Sequence, residues 1–211
     1  MKKNIVLAFD MDNTICDTNS EVLKLITEFC IKNNSVEMEY LIENKGLSVS
    51  YFKGKVVDLI NKEVIEKRVY MDTAKPSGLV GENNELKDLL LRLKKEVGGI
   101  KIVVCTHRGD NVSAWMSTYN YLVKYDLIDC FDMIHSISHI NNKNKIDFLK
   151  GHYKESEILL VDDNPFGSKS KVYDYCKEVL IYGEIDNFDV YCNQNFYKDH
   201  EDLFERVVGL I

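Results

Sequence analysis

Ile5-Val6-Leu7-Ala8-Phe9-Asp10-Met11-Asp12-Asn13-Thr14 changes character in the middle: five consecutive apolar residues run into two carboxylates spaced two apart. A short unbroken apolar run without helical periodicity reads as a strand buried on both faces, the kind found in parallel sheets. Residues at i and i+2 of extended backbone point the same way, so Asp10 and Asp12 emerge side by side where the strand meets solvent. That edge, beyond the carboxyl ends of the strands, is where open α/β sheets bind ligands. A calcium loop is the competing reading, since Asp10, Asp12, Thr14 and Glu21 fall at positions 1, 3, 5 and 12 of an EF-hand. It fails at position 6, where Ile15 replaces the glycine the turn needs, and the segment entering the loop reads as strand.

Four more apolar segments have the same character, at residues 100–105, 131–136, 157–161 and 178–182. Helical patterns separate most of them. The clearest runs from Asn83 to Val97, with Leu86, Leu89, Leu90, Leu93 and Val97 on one face and Gly98-Gly99 as its stop. Strand, helix, strand at this cadence predicts a parallel sheet with right-handed crossovers. The first gap breaks the rhythm with an insertion. Thr18-x-x-Glu21 reads as a capping box opening a helix through Val22, Leu23, Ile26, Phe29 and Cys30, and further helical patterns follow at 36–44 and 50–68 before Pro76-Ser77-Gly78. The expected organisation is a Rossmann-like α/β core of residues 1–17 and 79–211, with a helical cap of residues 18–78 placed after the first strand.

At 211 residues and 45% hydrophobic, the chain has enough apolar content for a full core. No apolar run approaches the length of a membrane span, and Met1-Lys2-Lys3 leads straight into a strand, so a cytoplasmic protein without a membrane partner is expected. Cys16, Cys30, Cys105, Cys130, Cys176 and Cys192 form no C-x-x-C pair, which argues against a zinc site and a disulfide framework. A net charge of −7 argues against long nucleic acid as a partner and leaves a small phosphate ester escorted by a divalent cation compatible. A homodimer is compatible with the sequence.

Two other strand ends carry polar chemistry. Ile100 to Cys105 ends in Thr106, followed by His107 and Arg108; Ile158 to Val161 ends in Asp162-Asp163-Asn164-Pro165. Adjacent acids repel unless something positive holds them, and Mg²⁺ with its oxygen ligands suits them. A strand, D-x-D-x-T, a Thr at the second strand end, a lysine near a helix start and an acidic pair, in that order, resemble the haloacid dehalogenase-like phosphotransferases. The resemblance implies that Asp10 is the nucleophile and Asp12 the general acid/base. It further implies that Thr106 holds the transferring phosphoryl, and that Asp163 binds Mg²⁺ with Asp10 and the backbone carbonyl of Asp12 while Asp162 supports from behind. The lysine is Lys145, ahead of the apolar helical run in Asn141-Asn142-Lys143-Asn144-Lys145-Ile146-Asp147-Phe148-Leu149, with Lys143 as the alternative.

Within that superfamily, Phe9 to Thr14, the helical cap and Tyr70-Met71-Asp72-Thr73-Ala74-Lys75-Pro76-Ser77-Gly78 look like the cytosolic 5'(3')-deoxyribonucleotidases. Those enzymes follow the Thr with a small residue and proline; here His107 and Arg108 stand instead. The expected activity is a Mg²⁺-dependent phosphomonoesterase acting on a small metabolite, with a deoxyribonucleoside monophosphate as one candidate. Alternatives are a phosphatase for sugar phosphates or nucleic-acid ends, and a non-catalytic binding protein of the same fold. Tyr40, Tyr51, Phe52 and Tyr70 are candidates to stack on a base, and Arg108 to bind a second anionic group of the substrate.

Overall fold

A computed structural model of the chain describes residues 4–32, 62, 66–68, 70–142, 144–166, 174–183 and 194–210. Its strands are β1 (Asn4–Phe9), β2 (Cys16–Asp17), β3 (Lys75–Pro76), β4 (Ile100–Thr106), β5 (Met133–Ser136), β6 (Ser156–Asp162), β7 (Val179–Ile181) and β8 (Asn195–Phe196). Its described helices are, in our numbering, α1 (Thr18–Lys32), α2 (Tyr70–Thr73), α3 (Glu85–Glu96), α4 (Val112–Lys124), α5 (Lys145–His152) and α6 (His200–Val208). By internal contacts the chain divides into Met1–Cys16 with Pro76–Ile211, and Asp17–Lys75.

The larger unit is built on a six-stranded sheet in the order β5-β4-β1-β6-β7-β8, and every neighbouring pair is parallel. From β1 the chain adds β4 and β5 on one side, then returns to add β6, β7 and β8 on the other. The order reverses between β1 and β6, a topological switch point of the kind that opens a crevice at the carboxyl edge. Strand alternation assigns the core: Val6 and Ala8 share one face with Val103, Cys105, Ile158 and Leu160, and Ile146 and Leu149 of α5 pack there. Ile5, Leu7 and Phe9, pointing the other way, are equally buried, so β1 has no solvent face. On α3, Leu86, Leu89, Leu90 and Leu93 are buried as their spacing predicts. Its start differs from the expectation in geometry: Asn84 precedes it in the left-handed region (φ 63°) and makes no side-chain capping bond.

In the smaller unit α1 and α2 pack together. The capping box expected at Thr18 is displaced by one residue. Asp17 Oδ1 accepts the Ser20 N–H at 3.1 Å, the bond an N-cap makes, while Glu21 is turned to Lys24 at 3.2 Å. The helical patterns at 36–44 and most of 50–68 lie outside the described residues, as do Tyr40, Tyr51 and Phe52. Among the described residues no helix is long and apolar enough to cross a membrane.

Candidate active site

Register brings the functional residues level. Phe9 of β1 is paired with Val104 of β4 on one side and Val161 of β6 on the other, so Asp10, Cys105 and Asp162 stand in one row and Thr106 one step beyond. The Asp10 N–H donates to the Val161 carbonyl at 2.9 Å, fixing the first residue past β1 against β6. The chain then turns sharply. The Met11 carbonyl accepts the N–H groups of Thr14, Ile15 and Cys16, and Asn13 adopts φ 58°, a left-handed conformation that asparagine tolerates better than most residues. Thr14, fully buried, accepts the Asp163 N–H on its Oγ1 at 3.1 Å and so ties the first loop to the acidic end of β6. This explains the threonine of D-x-D-x-T in this chain, a role the spacing alone does not reveal.

Lys145 is the first residue of α5, whose start is set by Asn144: its side chain accepts the N–H groups of Ile146 and Asp147. The lysine is 4% exposed and lies 2.8 Å from Asp10 Oδ1 and 2.7 Å from Asp162 Oδ2. Burial disfavours its ammonium, but the two carboxylates outweigh that and hold its pKa above the ordinary value. Lys143 lies outside the described residues. Asp162 is engaged on both oxygens, with Lys145 on one and the Asn164 N–H on the other at 2.8 Å. Asp163 instead faces the cleft, with Asn13 Nδ2 at 3.5 Å.

Three of the acids lie close enough together to hold one cation. Carboxylate oxygens of Asp10, Asp162 and Asp163 lie within 4.8 Å of one another. Burial, then the neighbouring carboxylates, push Asp10 up to about 6 against the pull of Lys145, and push Asp163 up to about 8. Among the described residues Lys145 pairs with Asp10 and Asp162, and Arg108 pairs with Asp12. Buried like charges of this density call for a further positive charge, and an all-oxygen donor set suits Mg²⁺.

These residues open on a cleft of about 380 Å³, lined by Asp10, Asp12, Thr106, His107, His139, Lys145, Asp163 and their neighbours. That volume suits a small molecule. Thr106 Oγ1 is buried and has no hydrogen-bond partner among the described residues, as expected of a hydroxyl reserved for a ligand. His107 and His139 stack at the wall, ring centroids 3.9 Å apart and planes 22° off parallel. The His107 Nε2–H donates to the Asn142 carbonyl at 2.8 Å, and burial, with Lys145 nearby, drives its pKa down to about 4, so the ring is neutral near pH 7. Nothing local in the sequence marks His139; it reaches the cleft from the loop after β5.

A family model described as haloacid dehalogenase-like hydrolase matches residues 7–172. The chain belongs to the haloacid dehalogenase-like hydrolases. Among solved structures, a hydrolase of the haloacid dehalogenase-like family from Streptococcus pneumoniae superposes with a TM-score of 0.63 at 12% identity, over 98% of this chain and 100% of that one. A predicted phosphatase from Clostridium acetobutylicum gives 0.59 at 14% identity over 99% and 100%. A HAD-superfamily hydrolase of subfamily IA from Geobacter sulfurreducens gives 0.54 at 11% over 97% and 96%. No curated protein matches the sequence. At these identities the likeness establishes the fold of this haloacid dehalogenase-like hydrolase.

Arg108, expected to bind substrate, is 1% exposed and does not line the cleft. Its guanidinium is spent on Asp12, with Nε 3.0 Å from Oδ2 and Nη2 2.7 Å from Oδ1. Asp12, two residues past Asp10, is thus the carboxylate that holds the guanidinium. Tyr70, the other expected substrate contact, begins α2 in the Asp17–Lys75 unit.

Proposed function

We propose that this hydrolase is a phosphomonoesterase that carries the phosphoryl group on Asp10. The carrying observation is Asp10 itself: a buried carboxylate at a strand end, held 2.8 Å from a buried lysine, beside two further acids and beneath an open cleft. In the first step an Asp10 oxygen bonds to phosphorus while the ester P–O bond breaks; its electron pair stays on the leaving oxygen, which takes a proton from Asp12. In the second, Asp12 takes a proton from water as the water oxygen bonds to phosphorus, and the P–O bond to Asp10 breaks to return the carboxylate and release phosphate. Lys145 offsets the charge of nucleophile and phosphoryl, and the Thr106 hydroxyl donates to a phosphoryl oxygen. Asp10, Asp163 and the Asp12 carbonyl would hold Mg²⁺, which when bound supplies positive charge against the phosphoryl oxygens. Asp162 holds Lys145 in place.

The substrate in this reading is a small soluble phosphate ester, with a deoxyribonucleoside monophosphate as the leading candidate and the cytoplasm as its setting. In this reading Arg108, which pairs with Asp12, is not the contact to a second anionic group of the substrate. Phosphate release from p-nitrophenyl phosphate with and without Mg²⁺ tests the activity: Mg²⁺-dependent release is expected, and none at all from it or from a panel of phosphorylated metabolites would overturn it. Competing deoxyribonucleoside monophosphates against sugar phosphates tests the substrate. A clear kcat/KM preference for the sugar phosphates removes the nucleotidase reading and leaves the phosphatase intact.

A further inference from the structure

Asp12 does not stand alone at the cleft edge. Arg108, two residues beyond Thr106 and among the largest fully buried side chains, meets both of its oxygens in a two-pronged fork, at 3.0 and 2.7 Å. The same Nη2 lies 3.1 Å from Cys16 Sγ, and the Cys16 thiol donates to the Met11 carbonyl at 3.1 Å, so the guanidinium is itself seated in the loop that follows Asp10. The Asp12 side chain remains 28% exposed and borders the cleft. The carboxylate is therefore held in plane by the guanidinium while part of its surface is exposed at the cleft. Burying a guanidinium is costly unless the geometry of its partner repays it, and a carboxylate needed only for its charge would be more stable left solvated.

We propose that Arg108 is a positioning residue: it sets the plane and rotamer of the Asp12 carboxylate so that its cleft-exposed edge addresses the ester oxygen of the bound substrate, without touching substrate itself. The inference rests on the reading of Asp12 as the proton donor and acceptor. Arg108 keeps all its protons throughout; the proton leaves Asp12 for the ester oxygen as the P–O bond breaks and is replaced from water in the second step. The fork matters because proton transfer is sensitive to placement. A displacement of about 1 Å costs on the order of a hundredfold in rate. Lysine at this position keeps the charge and loses the fork.

The test exploits the leaving group. Departure of p-nitrophenolate hardly needs a proton, whereas an alkoxide needs one badly, so a defect that acts through Asp12 falls on alkyl phosphates. Arg108→Lys should lower kcat/KM for an alkyl phosphate by about a hundredfold and for p-nitrophenyl phosphate by less than about tenfold. The ratio of the two, taken on one preparation, is independent of the fraction of enzyme that folds, and Arg108→Gln provides a second variant with the same expectation. The double variant Asp12→Asn/Arg108→Lys should be no slower on the alkyl phosphate than Asp12→Asn alone, since the two act as one unit. An unchanged ratio in both Arg108 variants, with Asp12→Asn shifting it, overturns the positioning role and leaves Asp12 standing. An unchanged ratio in Asp12→Asn overturns the reading of Asp12 itself.

Discussion

Removing Lys145 should expose how the site holds its charge. In Lys145→Ala the ammonium that lies 2.8 Å from Asp10 and 2.7 Å from Asp162 disappears, and two buried carboxylates lose their common partner. Breaking a buried ion pair from one side costs about 3–5 kcal/mol. For a chain of this size that is a fall in Tm of roughly 6–20 °C. The loss should depend on pH, because Asp10 has an escape: it can take up a proton. Burial has already raised it to about 6, and without Lys145 it rises further. The folded variant then binds a proton that the unfolded chain releases, so its stability increases as pH falls, by up to about 1.4 kcal/mol per pH unit for one proton. Thermal and urea unfolding followed by circular dichroism at about pH 7.5 and about pH 5, in chelator, reads both effects. Lys150→Ala is the control: its ammonium is 50% exposed, pairs with Glu178, and should matter by less than about 1 kcal/mol. If Lys145→Ala costs no more than Lys150→Ala, or its cost is the same at both pH values, the electrostatic account of the site is wrong.

Two further outcomes follow from the same charges. Asp10 and Asp163 have folded pKa values raised from 3.8 to about 6 and about 8, so the cation-free wild type should be most stable below about pH 4 with respect to these groups and lose that contribution as pH rises toward 8; Mg²⁺, which binds the ionised forms, should therefore raise Tm more at pH 8 than at pH 5. Asp163→Asn should remove most of that Mg²⁺ response, whereas Asp162→Asn should keep it and instead slow turnover by freeing Lys145, as titration of Tm and of kcat against Mg²⁺ will show.

Much of the site is legible in the sequence because a parallel sheet converts strand ends into neighbours. β1 spans Asn4–Phe9 as the apolar run predicts, and once β4 and β6 flank it, Asp10, Thr106 and the Asp162-Asp163 pair must converge. Lys145 is legible because it immediately precedes the apolar run from Ile146, and the structure starts the helix there with Asn144 as its cap. What escapes the sequence lacks a local period. β8 is two residues long, and its pairing with β7 is decided by the sheet rather than by Asn195 and Phe196. His139 sits in a loop, and only the folded loop brings it onto His107. The partner of Arg108 is a tertiary choice, since nothing in His107-Arg108 says whether the guanidinium turns toward the cleft or beneath it. At α1, Asp17 and Thr18 are both good caps, and the structure uses the first.

The central claim is that Asp10 carries the phosphoryl group, and the most direct measurement is phosphopeptide mapping of enzyme quenched in acid during turnover, for wild type and Asp10→Asn side by side. The account predicts an acid-stable, hydroxylamine-labile phosphoryl group on the peptide containing Asp10 in the wild type and none in the variant. A phosphoryl group recovered on any other residue, or still present in Asp10→Asn, would contradict it.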